Sequence, residues 1–128
     1  MIDLHAHILP GVDDGPRDLE AAVEQARAVA ANGTEQLATT SHVDHGFGLD
    51  PLQFADRRAQ VQAAIDREGI ALRLLRGGEL ALRRYPDVTE EELQATVVDL
   101  GPAYRPWLEG WTCRAWLEHV AERLSRPA

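Results

Sequence analysis

Three short apolar runs, at residues 1 to 5, 35 to 40 and 70 to 75, alternate along this chain with two amphipathic stretches of helical period. That order leaves few folds open. The first stretch starts at Asp18, a residue suited to capping a helix, and Leu19, Ala22, Val23, Ala26, Val29 and Ala30 recur at helical spacing until Gly33, a common stop. The second opens with Asp50-Pro51, a cap followed by a first-turn proline, and places Phe54, Val61 and Ile65 on one face before Gly69. A β-α-β-α-β succession with connections this long predicts an α/β fold, parallel strands joined by right-handed helical crossovers. At 128 residues the chain suits one domain with a buried core, residues 1–128. Beyond Tyr85 the pattern thins. Thr89 followed by Glu90, Glu91 and Glu92 reads as a capping box opening a short helix, Val97-Val98 as a brief strand, and Trp116, Leu117, Val120, Ala121 and Leu124 as a final amphipathic helix.

In parallel α/β folds the reactive groups gather where strands hand over to the following loops. His5 and His7, then His42, then Glu79 stand at or just past the ends of the three successive strands. Strand side chains alternate between faces, so His5 and His7 share one face, roughly 7 Å apart at their Cα atoms. A Pro10-Gly11 turn brings back Asp13 and Asp14, which can add oxygen donors. A mixed shell of imidazole and carboxylate suits Mn, Fe or Zn better than Ca or Mg.

Composition closes off other classes. The formal charge of -8 with a pI near 5.0, and no clustering of arginines, argues against a nucleic-acid binder. Cys113 is the only cysteine, so there is no internal disulfide framework, and it lacks the Cys-x5-Arg setting of a thiolate phosphatase. No run reaches the roughly 18 to 20 apolar residues that span a bilayer, and no basic-then-apolar leader opens the chain, so it is read as soluble, unprocessed and cytoplasmic. Asp44 and His45 read as a solvated loop, His119 as a surface or half-buried helix residue, and Trp107, Trp111 and Trp116 as core or exposed apolar surface. The acids at 90 to 92 read as a favourable helix start.

The ordered set Met1-Ile-Asp-Leu-His-Ala-His-Ile-Leu-Pro-Gly-Val-Asp-Asp-Gly-Pro16, Ala38-Thr-Thr-Ser-His42 and Arg76-Gly-Gly-Glu-Leu80 resembles the amino-terminal part of the polymerase-and-histidinol-phosphatase (PHP) superfamily of metal-dependent phosphoesterases. Within it, the resemblance is strongest to the bacterial manganese-dependent protein-tyrosine phosphatases of capsule and exopolysaccharide loci. It is specific over residues 1 to 85 and weaker over 86 to 128. It implies a partial PHP-type distorted (β/α) barrel holding up to three Mn2+ ions, with Fe or Zn as substitutes. On that pattern His5 and His7 hold one ion with Glu79, which bridges to a second, while Asp14 and His42 hold a third. Glu109 falls near the glutamate that the family places on the second ion at the end of a fourth strand, although Pro106 interrupts the run there. The implied reaction is hydrolysis of phosphotyrosine in a protein, a tyrosine kinase of the same pathway being the expected partner. Another PHP activity, such as histidinol-phosphate hydrolysis or a polymerase-associated nuclease, and an inactive metal-binding fragment are the alternatives. The family's later motifs have no counterpart in this sequence, so a truncated or frame-shifted member or a fragment is expected, with marginal stability or homo-oligomerisation covering its open strand edges.

Overall fold

The computed structural model describes residues 1–47, 49–105 and 110–127. In chain order they form β1 (Ile2–Ala6), α1 (Leu19–Ala31), β2 (Gln36–Thr39), β3 (His42–Val43), α2 (Phe54–Arg67), β4 (Arg73–Arg76), β5 (Glu79–Leu80), α3 (Glu90–Thr96) and α4 (Cys113–Ser125). Short 3-10 segments at Pro51–Gln53, Leu82–Asp87 and Pro102–Tyr104 connect them. The helices begin where local chemistry starts them. Asp18 accepts from the Ala21 N–H at 2.8 Å and Asp50 from the Leu52 N–H at 2.9 Å. Thr89 and Glu92 form the reciprocal capping box that the sequence announces.

β1, β2 and β4 make a parallel three-stranded sheet in the order β1-β2-β4, with Leu37 opposite both Asp3 and Leu74. β3 and β5 pair in parallel as well, His42 opposite Glu79. The offset between partners is the same in β2/β4 (Thr39 with Arg76) as in β3/β5 (His42 with Glu79). The two sheets are therefore one strand pair, interrupted and resumed in register. Thr40 makes the interruption: its N–H turns to the Ala6 carbonyl at 2.8 Å and its Oγ1 accepts from the Ala6 N–H at 2.9 Å. Pairing resumes when the Glu79 N–H donates to the Ser41 carbonyl at 2.9 Å.

α1 and α2 pack side by side over one face of the sheet. Ala22 and Ala26 from α1 and Phe54, Val61 and Ile65 from α2 meet Leu37, Leu74, Ile8, Leu9 and Val12 in the main core. Small residues on α1 let it lie close while Phe54 fills the space. A second cluster, Val88, Leu93 and Cys113 with Leu80 and Tyr85 against it, seats α3 and α4. The outer edge of β4 is closed without a further strand: Gln62 on α2 accepts from the Leu74 N–H at 2.8 Å and donates to the Leu72 carbonyl at 2.9 Å, and the Asp99 N–H reaches the Arg76 carbonyl at 3.1 Å. At the opposite side of the sheet, Ile2 and Leu4 of β1 are about half exposed, at 47% and 55%.

Several expectations are revised. The third strand begins at Arg73 rather than 70, because Ile70 to Leu72 form a turn in which the Leu72 N–H bonds the Ile70 carbonyl at 2.9 Å. Val97-Val98 is not a strand; Val97 caps α3, its N–H still bonded to the Leu93 carbonyl. The architecture is mixed α/β with parallel strands, as expected, in a three-stranded and a two-stranded sheet among the described residues. Glu109 and Trp107 lie outside the described residues. Among the described residues no helix is long and apolar enough to cross a membrane.

Candidate metal centre

The carboxyl ends of β1, β2/β3 and β4/β5 converge, and with them the histidines and acids singled out in the sequence. His5 is the last residue but one of β1 and His7 follows the strand; α1 holds the His7 carbonyl through the Gln25 amide at 3.1 Å. The loop after His7 folds back so tightly that a Cβ on Gly15 would stand 2.8 Å from the same carbonyl. Glycine is thus required after the aspartate pair, and the tight fold swings Asp14 toward the ring of His7. His42 opens β3 and Glu79 opens β5, and their register places them directly opposite each other.

His7 is the hub. Its Nδ1 lies 2.7 Å from Asp14 Oδ1 and its Nε2 2.8 Å from Glu79 Oε2. His5 Nε2 stands 3.3 Å from the same Glu79 oxygen. His42 Nε2 is 3.4 Å from Asp14 Oδ1 and its Nδ1 3.6 Å from Glu79 Oε2. The His5 and His7 rings are 5.2 Å apart, and the His7 and His42 rings meet edge to face at 4.5 Å. Two triads result, His5-His7-Glu79 and His7-Asp14-His42, whose donor atoms all lie within 4.8 Å of one another in each group. Ligand atoms sharing an ion at about 2.1 Å are typically about 3.0 to 3.4 Å apart. The His5–Glu79 and His42–Asp14 pairs, at 3.3 and 3.4 Å, have that spacing, the shorter His7 contacts are direct hydrogen bonds, and the donors, three imidazoles and two carboxylates, suit a borderline transition metal.

Burial works to lower the pKa of His7, but its hydrogen bonds to Asp14 and Glu79 and the charges of Asp13 and Asp14 outweigh that and raise it above the usual histidine range. Hydrogen bonding from His7 holds the Asp14 carboxyl below its ordinary value. His7 and His42 are mostly shielded, whereas the side chains of His5 and Asp14 are 61% and 64% exposed, so the cluster is open on one side.

The structure separates the two aspartates that the sequence offers together. Asp14 faces the histidines. Asp13 is turned inward, its side chain 0% exposed, with Oδ1 accepting the Gly15 N–H and Oδ2 the His42 N–H, both at 2.9 Å. Sequence reasoning also missed Phe47, whose ring stacks on His42 at 4.6 Å and 9°; the only signal is an aromatic residue shortly after the histidine. Asp44 is engaged by Arg83 and His45 is exposed, and neither belongs to a triad. His119 lies far along the chain on α4, half-buried beside Trp111 and Trp116. Cys113 is fully buried, and that burial pushes its thiol up to about 11, which disqualifies it as a nucleophile.

Residues 1–101 match the family model described as capsular polysaccharide synthesis, CpsB/CapC. The chain is 32% identical over 101 residues to tyrosine-protein phosphatase YwqE of Bacillus subtilis (strain 168), covering 78% of this chain and 39% of that protein. It is 32% identical over 81 residues to tyrosine-protein phosphatase CpsB of Streptococcus agalactiae, covering 62% and 33%. Its fold is similar to a chain from the crystal structures of YwqE from Bacillus subtilis and CpsB from Streptococcus pneumoniae, described there as unique metal-dependent tyrosine phosphatases. That likeness has a TM-score of 0.62 at 30% identity and covers 68% of this chain and 38% of the other. The chain spans about two fifths of the length of YwqE.

Proposed function

Since the chain belongs to the CpsB/CapC family of capsular polysaccharide synthesis, we propose that its activity is metal-dependent hydrolysis of phosphotyrosine in proteins. The observation that carries this reading is the convergence of two donor triads on His7, at the ends of three adjacent parallel strands. We assign Mn2+ as the metal, with Fe or Zn as substitutes, held by His5, His7 and Glu79 on one side and by Asp14 and His42 on the other. Glu109, outside the described residues, is the remaining proposed ligand. When bound, such ions supply positive charge at the phosphoryl oxygens and lower the pKa of water, so that it attacks phosphorus at neutral pH.

The protein's own part is positional. The shared register of β3 and β5 holds His42 and Glu79 face to face, and the tight loop after β1 holds Asp14 against His7. The exposed flank formed by His5 and Asp14 admits a bulky macromolecular phosphate, which suits a side chain on a protein better than a small buried metabolite. Phenolate departs without strong acid assistance, so the cluster can function with no dedicated proton donor. A tyrosine kinase of the same pathway is the proposed source of the substrate, the cytoplasm the proposed compartment, and the half-exposed β1 edge the proposed contact with a second copy.

The test is hydrolysis of a phosphotyrosine peptide by the purified chain with Mn2+, alongside a chelator control and a His5→Ala/His7→Ala variant. Turnover abolished in both controls is the expected result. Equal turnover in the variant rejects this ligand set, and preference for histidinol phosphate over the peptide moves the protein to another PHP activity.

A further inference from the structure

We propose that Asp13 is the positioning residue for one half of the metal cluster: it fixes Asp14 and His42 as a pair and leaves His5 independent of it. This rests on the metal-dependent reading above. An ionised carboxylate withdrawn from water is strongly disfavoured unless its oxygens are covered by donors. Asp13 has its side chain entirely out of solvent, and each oxygen accepts one backbone N–H, from Gly15 at one end and His42 at the other. Those two partners are in the loop after β1 and at the start of β3. One side chain therefore ties together two segments that are distant in sequence.

The position of the ties matters. Asp14 lies between Asp13 and Gly15, so the Asp13–Gly15 hydrogen bond closes a tight turn with Asp14 at its tip. The second hydrogen bond fixes the backbone of His42 itself, and Asp13 Oδ2 also stands 3.8 Å from His7 Nδ1, the ring atom that faces Asp14. All three members of the His7-Asp14-His42 triad are thus referred to one carboxylate. His5 is fixed by other means, the β1 strand, whereas Glu79 donates its N–H to the Ser41 carbonyl, the other end of the peptide unit whose His42 N–H Asp13 holds. Both Asp13 oxygens already accept backbone donors, which sets this residue behind the ligands rather than among them. Outer groups of this kind orient ligands, and their loss typically lowers metal affinity about 10- to 100-fold.

The experiment is Mn2+ titration of the full chain by calorimetry, comparing wild type with Asp13→Asn, Asp14→Ala and His5→Ala, together with an amide NMR spectrum of the metal-free wild type and Asp13→Asn proteins. Asn keeps the shape of Asp but turns an NH2 group toward one of the two backbone donors. The expected result is that Asp13→Asn weakens the binding that Asp14→Ala removes by about 10- to 100-fold and leaves the binding that His5→Ala removes within about two-fold. In the same sample the Gly15 and His42 amide resonances move and the His5 amide, which donates to Asp3, does not. Wild-type affinity at both positions in Asp13→Asn overturns the proposal and leaves the metal reading standing, and so does an equal loss at both positions accompanied by a lower melting temperature. Absence of any Mn2+ binding by the folded wild-type chain overturns the metal reading and the proposal with it. Should an Asp13→Ala companion fail to fold, the isosteric Asn variant and the NMR comparison still decide the matter.

Discussion

Gly78 is the point where the strand that delivers Glu79 passes the end of α3, and replacing it with alanine tests that packing directly. A Cβ built there stands 2.7 Å from Thr96 Cβ, 2.8 Å from Thr96 Cγ2 and 3.1 Å from Thr96 Cα. Carbon atoms in contact prefer about 3.5 to 4.0 Å, so the overlap is on the order of 1 Å. Rotating the threonine moves only its outer atoms; Cβ and Cα are fixed to the helix, and β5 or α3 must shift. Gly78 has no left-handed φ, so the penalty is steric rather than conformational. Forced overpacking of this kind costs about 1 to 3 kcal/mol, and contact with backbone places Gly78→Ala in the upper part of that range. Gly77 provides the graded comparison. Its Cβ would meet Thr40 Cγ2 at 3.1 Å and Val98 Cγ2 at 3.3 Å, ends of side chains that can yield, so Gly77→Ala should cost about 1 kcal/mol or less. Gly46 has nothing within 4 Å, and Gly46→Ala should be neutral or stabilising by about 0.4 to 1 kcal/mol through the unfolded state. Urea denaturation followed by circular dichroism reads the series; with a slope of about 2 kcal/mol per molar, Gly78→Ala lowers the midpoint by roughly 1 M. A Gly78→Ala midpoint at or above wild type, or a larger loss at Gly46 than at Gly78, refutes the close approach and with it the account of how Glu79 is held.

Phe54→Ala removes the largest fully buried side chain of the main core and should cost about 3 to 5 kcal/mol, a large share of the stability of a domain this size, measured in the same urea experiment. Thr89→Ala breaks the capping box of α3 and should cost about 1 kcal/mol; a loss equal to that of Phe54→Ala contradicts a purely local cap. The Asp99 carboxyl is held below its ordinary range chiefly by hydrogen bonding from Arg105, against the opposing push of burial. A depressed folded pKa contributes stability that is fully present above the unfolded value of about 3.9 and is lost as pH falls through the folded value. The stability gap between wild type and Asp99→Asn should therefore be flat from about pH 5 to 7 and narrow below about pH 4, as measured by urea midpoints across that range; a gap that widens in acid reverses the assignment.

Much of this molecule is legible in its local chemistry. The caps at Asp18 and Thr89 act within three residues of themselves, so α1 and α3 start where the sequence says, while Asp50 caps the 3-10 turn Pro51–Gln53 that leads into α2 at Phe54. The positive φ of Gly33 and Gly69 likewise stops α1 and α2 on cue. The parallel order of three strands follows from apolar runs separated by helical ones, and the histidines at the strand ends stand out for that reason. Where two local readings compete, the sequence is a weaker guide. Ile70 to Leu72 have strand-forming character, yet the main core draws Leu72 into a turn over α2; Val97-Val98 are β-branched, yet α3 runs into them, and it is Asp99 that makes the backbone bond to β4. Those outcomes depend on neighbours far away in the chain.

The amino-acid sequence by itself determined which side chains could form a metal cluster and on which elements they ride, because strand alternation, helix caps and glycine turns are set by residues a few positions apart. Only the tertiary structure decided how adjacent, chemically identical groups are divided. Asp13 and Asp14 have the same carboxylate and the same intrinsic propensities, but the backbone N–H of His42 closes around one and the ring of His7 faces the other. Likewise, His42 meets Glu79 because Thr40 breaks β2 toward β1 and the strand pair then resumes without a slip. Register and close approach are properties of the packed sheet, and a one-residue slip would turn the same side chains to opposite faces.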